Sequence, residues 1–243
     1  VTNESVRPEM NPYNPPKTPN LEIFYKDQAI LLAIKPSGLL TVPGREAHKK
    51  DCLINRITPH FPTATIVHRL DLETSGLVVI ALNKVSQSSL GRSFQQRKVE
   101  KRYLAWVDGN PINDGGTIDI PLFPDWPNRP LQKIDYENGK AALTHWKVLE
   151  RREDRALVML MPVTGRSHQL RVHMKALGHT ILGDPLYADE RVRGMADRLM
   201  LHAGYLAFPH PDTDEMISFS LPPATKPAAE ANANIGNFFA TEW

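Results

Sequence analysis

Between residues 65 and 84 the chain runs Thr-Ile-Val-His-Arg-Leu-Asp-Leu-Glu-Thr-Ser-Gly-Leu-Val-Val-Ile-Ala-Leu-Asn-Lys, a string that few folds can accept. Its apolar, β-branched runs at 65–67 and 77–82 read as buried strands, and the charged, hydroxyl-rich loop between them ends at Gly76. Arg69 and Asp71 lie two residues apart in that loop. Thr74 and Ser75 are placed to hydrogen-bond back to the Asp71 carboxylate or to neighbouring backbone donors. The string reads either as a catalytic loop on a rigid scaffold or as a tight turn in which Asp71 serves its own backbone and Gly76 supplies an unusual dihedral.

The flanking segments follow the same strand-rich pattern. Residues 21–25 and 29–34 form a hairpin around Lys26-Asp27, and Lys35-Pro36-Ser37-Gly38 ends it; 39–50 is a polar basic loop and 52–57 a short helix. Residues 85–97 read as a helix with Leu90 and Phe94 on one side. In the next strand, 101–107, Tyr103, Ala105 and Val107 share one face while Leu104 and Trp106 take the other. A turn is expected at Asn113-Asp114-Gly115-Gly116, and an ordered surface loop over the proline-rich 121–130, pinned by Trp126 and Phe123. Residues 142–149 and 156–161 make a further hairpin. In 168–177, Leu170, His173, Met174 and Leu177 keep helical spacing, which puts Arg166 at a helix entrance. After a loop at 181–187, a helix is expected over 188–199 and strands over 200–208 and 216–221. Repeated hairpins imply a mixed α/β (α+β) unit with a largely antiparallel central sheet flanked by helices.

At 243 residues, 41% hydrophobic and 23% charged, the chain is expected to be one globular body of 21–222, with a flexible Pro-rich arm at 1–20 and a C-terminal tail at 223–243. A net charge of +2 permits a polyanionic partner without demanding one. The single cysteine, Cys52, excludes an internal disulfide and fits a cytoplasmic setting; no apolar run is long enough to span a membrane. Neither a P-loop nor a dinucleotide-binding glycine pattern occurs. His168 and His173 stand five apart, which points them away from each other on a helix, so no metal site is expected. What remains is a carboxylate with arginines. An Asp working as nucleophile or base must stay ionised in a dry site, which a nearby guanidinium favours, and Arg166 is a candidate for that partner as well as for a structural contact at a helix start.

His68-Arg69-Leu70-Asp71-x-x-Thr74-Ser75-Gly76-Leu77 resembles the central motif of the RluA-type pseudouridine synthases. Three further strings resemble that family's motifs in the same order: Lys35-Pro36-Ser37-Gly38, Gly165-Arg166-Ser167-His168-Gln169-Leu170-Arg171 and Leu182-Gly183-Asp184-Pro185-Leu186-Tyr187. The likeness covers about 20–222 and implies the pseudouridine synthase fold and an isomerase that converts uridine in RNA stem-loops to pseudouridine without cofactor or metal. It implies Asp71 as the catalytic carboxylate, Arg166 as the arginine paired with it, and Tyr103 as the ring that stacks on the target base. Leu170 would line the uracil pocket and Arg69 would fill the space the flipped uridine leaves, with His68 and Thr74 also on the substrate. The short arm and Asp125-Trp126-Pro127-Asn128-Arg129-Pro130 are most similar to a dual-specificity member acting on a 23S rRNA hairpin and the tRNA anticodon stem-loop. Residues 1–20 are too few for the S4 RNA-binding domain that many relatives carry, and a monomer is expected. Flipping a base is least costly in RNA loops, where aromatic and guanidinium planes receive unstacked bases. The rival readings are a non-catalytic RNA-binding protein on the same fold and a nucleoside hydrolase.

Overall fold

The computed structural model describes residues 12–221, so the tail at 223–243 and the first part of the arm lie outside the described residues. The chain begins as a hairpin, β1 (Ile23–Lys26) and β2 (Ile30–Lys35). Its turn is fixed by Asp27, whose carboxylate accepts the Ala29 and Ile30 amides at 2.7 and 2.8 Å. A short helix α1 (Leu53–Ile57), the two-residue β3 (Thr65–Ile66) and the fully buried β4 (Ser75–Ala81) follow. Then come α2 (Lys84–Gln95), which Asn83 caps by accepting the Ser86 amide, and β5 (Glu100–Asp108). β6 (Gly115–Asp119), β7 (Leu122–Pro124) and β8 (Gln132–Ile134) precede the long hairpin of β9 (Leu143–Arg151) and β10 (Arg155–Pro162). Helices α3 (Gln169–Ala176) and α4 (Glu190–Gly194) lead to the last pair, β11 (Leu201–Pro209) and β12 (Met216–Ser220).

These strands make one ten-stranded sheet in the order β1-β2-β4-β11-β5-β10-β9-β6, with β12 on β11 and β3 on β4, while β7 and β8 pair apart from it. Every pairing is antiparallel except β4 with β11. The expected α+β architecture with a largely antiparallel sheet is thus observed. That single parallel contact matters for the site, because Ala203 of β11 stands opposite Gly76 on one side and Tyr103 on the other. The loop before β4 and the ring of Tyr103 are therefore only two strands, roughly 10 Å, apart. Gly76 is demanded there: its φ is +121°, and a Cβ would lie 2.3 Å from the Ala203 carbonyl oxygen.

Alternation on β5 divides the core as the sequence suggests. Ala105 and Val107 pack, with Tyr103 beside them, against Leu160, Leu170 and Met174, whereas Leu104 and Trp106 face Leu157 and Met159. Several expectations need correcting. Gly115 and Gly116 begin β6 instead of forming the turn. Leu122–Pro124 is a strand whose proline stands at its end, where no ladder donor is required, and Trp126, 56% exposed, does not pin the segment. The helix expected over 188–199 is only five residues: Asp189 caps it through the Val192 amide at 2.8 Å, and it stops at Gly194, a poor helix former. The described part of the arm, residues 12–20, lies against the body, since Arg56 donates to the Pro16 and Asn20 carbonyls and Tyr13 donates to the Asp51 carbonyl.

Candidate active site

Where β4, β5 and the start of α3 converge, a cavity of about 520 Å³ opens. His68, Arg69, Asp71, Thr74, Tyr103, Arg166 and Leu170 all line it, so every site residue expected from sequence reaches one place.

Asp71 heads a turn closed by the Thr74 amide donating to its carbonyl at 3.2 Å. The loop is held from behind by residues 35–41. Lys35 Nζ donates to the carbonyls of Pro36, Leu39 and Leu72 at 2.9, 2.6 and 3.0 Å, the Gly38 amide also donates to Leu72 O, and Ser37 and Thr41 hydroxyls bind the Glu73 and Leu70 carbonyls. Burial pushes the Lys35 ammonium down to about 7, against the opposing pull of Asp71 and Glu73. This strap was not anticipated from sequence, where Lys35-Pro36-Ser37-Gly38 read as a hairpin end; a lysine closing an apolar strand was the available signal. Ser75 does not reach back to Asp71 as expected, because its side chain already faces β11 and pairs with His202 Nδ1 at 2.9 Å.

His68 is stacked on Phe94, ring centroids 4.7 Å apart, and its Nε2 accepts the Val79 amide at 3.0 Å. Burial, helped by Lys101, pushes its pKa down to about 3, so the ring is neutral with its proton on Nδ1. Burial and the charge of Asp71 push the Tyr103 phenol above its ordinary range, which keeps it un-ionised. Leu170 is 7% exposed and belongs at once to the cavity wall and the core.

The arginines fall out differently from the expectation. Arg166 is exposed, its Nε donates to the Ala141 carbonyl at 3.1 Å, and among the described residues it forms no ion pair with Asp71. Its place one turn before α3, on the solvent side, is fixed by Gln169, which accepts the Arg166 amide and the Thr164 hydroxyl while donating to Leu143 and Thr144. The guanidinium set inside the wall is that of Arg171, 2% exposed. It pairs with Asp184 through Nε at 2.7 Å and through Nη2, and Asp184 also accepts the Leu186 and Tyr187 amides. Burial alone would lower Arg171, but Asp184 and the nearby charge of Asp71 hold it above its ordinary value. Arg171 is therefore a buried guanidinium that lines the same cavity as Asp71 and feels its charge. Sequence reasoning passed over it, although an arginine on the apolar side of a helix, followed by Gly-Asp-Pro, was a signal for a buried pair.

His168 holds a left-handed conformation, φ +54°, at the start of α3, and its Nδ1 meets the Tyr187 hydroxyl at 2.7 Å. His173 turns away to Thr144 and to the Ile120 carbonyl. Among the described residues no group of three or more His, Cys, Asp or Glu is arranged to hold a metal ion.

Comparison with known proteins gives a consistent result. The family model described as RNA pseudouridylate synthase matches residues 29–176. The dual-specificity RNA pseudouridine synthase RluA of Escherichia coli K12 is 50% identical over 214 residues, 88% of this chain and 98% of that protein. The RluA of Vibrio parahaemolyticus is 47% identical over 223 residues, 90% and 89%. Among solved structures, human RNA pseudouridylate synthase domain containing 1 is similar with a TM-score of 0.75 at 33% identity, covering 90% of this chain and 89% of that one.

Proposed function

The chain belongs to the RNA pseudouridylate synthase family and is an RNA pseudouridine synthase, and from that premise we propose that Asp71 is its catalytic carboxylate, with Arg171 rather than Arg166 as the guanidinium behind it. In this reading a uridine leaves its stack and enters the cavity. The carboxylate of Asp71 attacks or deprotonates the nucleoside as the bond from N1 to C1′ breaks, the uracil turns, and a bond from C5 to C1′ replaces the first; C5 gives up its proton and N1 regains one, so nothing is added or lost. Tyr103 stacks on the base, Leu170 and Thr74 bound the pocket, and the Nδ1–H of the neutral His68 ring is a donor of fixed polarity. Arg69, exposed at the rim, fills the gap left in the RNA, and Arg166 meets the RNA from outside.

The observation that carries this reading is the cavity itself: one carboxylate, one aromatic ring from the second strand over, and a buried guanidinium locked by its own counter-ion. The relatives' name supports dual specificity, which here means a 23S rRNA hairpin and the tRNA anticodon stem-loop. Residues 21–222 are read as the catalytic domain, acting as a monomer in the cytoplasm. The buried free thiol of Cys52 agrees with a reducing compartment.

RNA carrying tritium at uracil C5 tests the chemistry. Tritium release without free uracil is expected, and Asp71→Asn should abolish it while still binding RNA. Free uracil would indicate hydrolysis, binding without either product an inert module, and normal isomerisation by Asp71→Asn would remove Asp71 from its role.

A further inference from the structure

Two cations on the cavity wall have no task in the chemistry above. Arg97 follows the last turn of α2, and Lys101 lies on β5 two residues before Tyr103, on the same face of the strand. Among the described residues neither side chain forms a hydrogen bond, an ion pair or a ring contact. Burial and the neighbouring Arg97 push the Lys101 ammonium down to about 8, so a cation is kept close to another cation without an anion between them.

The backbone adds a second observation. Arg97 is left-handed, with φ +59°, at the position after a helix where glycine is ordinarily used. The conformation is held by the Arg97 and Lys98 amides donating to the Phe94 and Ser93 carbonyls, and Phe94 in turn stacks on His68. An arginine with a β-carbon is strained at that position, yet its side chain lines the cavity.

We propose that Arg97 and Lys101 form a binding subsite for one backbone phosphodiester of the RNA, next to the uridine that is isomerised. The proposal rests on the reading that this uridine enters the cavity and stacks on Tyr103. With the base there, Lys101 stands about 7 Å along the strand, which suits the phosphate on one side of the same nucleotide. A phosphodiester offers two anionic oxygens, enough for an ammonium and a guanidinium at once. The bland alternative for Arg97 is a charge that merely complements the negative end of α2.

RNA substrates bearing a single neutral methylphosphonate at either phosphate flanking the target uridine, assayed with wild type, Arg97→Gly and Lys101→Gln, decide the matter. One of the two methylphosphonates should lower kcat/KM of the wild type about tenfold. Arg97→Gly and Lys101→Gln should each cost about as much on ordinary RNA, through KM, and should be nearly insensitive to that same methylphosphonate. Arg97→Gly should also melt at or above the wild-type temperature, because glycine relieves the left-handed strain, and its log KM against log salt should be flatter by about one unit. A helix-capping role predicts the reverse, a lower melting temperature and an unchanged KM. Methylphosphonate losses that simply add to those of both variants would overturn the subsite. Tritium release by the wild type and its loss in Asp71→Asn are unaffected by that outcome, so the subsite and the catalytic reading fail separately.

Discussion

Asp184→Ala isolates the part of the site that burial makes expensive. Asp184 is 0% exposed and accepts four hydrogen bonds, two from Arg171 and two from the Leu186 and Tyr187 amides. Removing it leaves a guanidinium in a wall that admits little water and uncaps the turn before α4. Breaking a buried pair from one side costs about 3–5 kcal/mol, a large share of the roughly 5–15 kcal/mol that holds a domain together. The Arg191 pair with Asp108 is the internal control. It has the same chemistry, but Arg191 is 63% exposed, so Asp108→Ala should cost about 1 kcal/mol or less. Urea unfolding at pH 7, with slopes that stay equal, reads both numbers. Near-equal midpoints for the two variants would refute the idea that Arg171 is held by a dry ion pair. Isomerisation by the folded fraction of Asp184→Ala should also fall, since the bonds that fix Arg171 in the cavity wall are then gone.

Lys35→Met should destabilise the protein by removing the tie to the Pro36, Leu39 and Leu72 carbonyls, and the deficit should widen with pH. Folded Lys35 binds its proton only up to about 7, whereas the unfolded chain keeps it to about 10.4. The unfolded state therefore carries more protons through that window, so the wild type gains stability there, at most roughly 1.4 kcal/mol per pH unit, and the variant does not. Unfolding both at pH 6 and pH 9 checks the sign. Lys101, at about 8, loses its charge as pH rises beyond that point, so the KM for RNA should climb between pH 7 and 9.5 relative to Lys101→Gln. Over that range His68 stays a neutral ring and Tyr103 an un-ionised phenol.

Hairpins, strand alternation on β5 and the apolar spacing of α3 could be read directly, because each is set by residues within one or two turns of one another. What escaped depends on distant chain. The five-residue α4 is cut at Gly194 so that the chain can return to the sheet as β11, a demand that local propensity over 188–199 does not express. Arg166 and Arg171 are both plausible partners for Asp71 in one dimension. Only the packing of α3 against β10, together with Asp184 thirteen residues on, sends Arg171 inward and leaves Arg166 on the Ala141 carbonyl. The motif around Asp71 marked a loop that lines the cavity, but not that Lys35 holds it from behind or that Ser75 faces β11.

Single-turnover isomerisation by Arg171→Lys beside Arg166→Lys, with RNA affinity measured in parallel, bears most directly on the pairing of Asp71 with a buried guanidinium. Arg171→Lys, which keeps the charge but loses the forked bond to Asp184, should slow the bound chemical step by about 100-fold or more at near-normal affinity. Arg166→Lys should keep the step and weaken only binding. The opposite ranking, with Arg166→Lys slow on the enzyme and Arg171→Lys fast, would contradict the account.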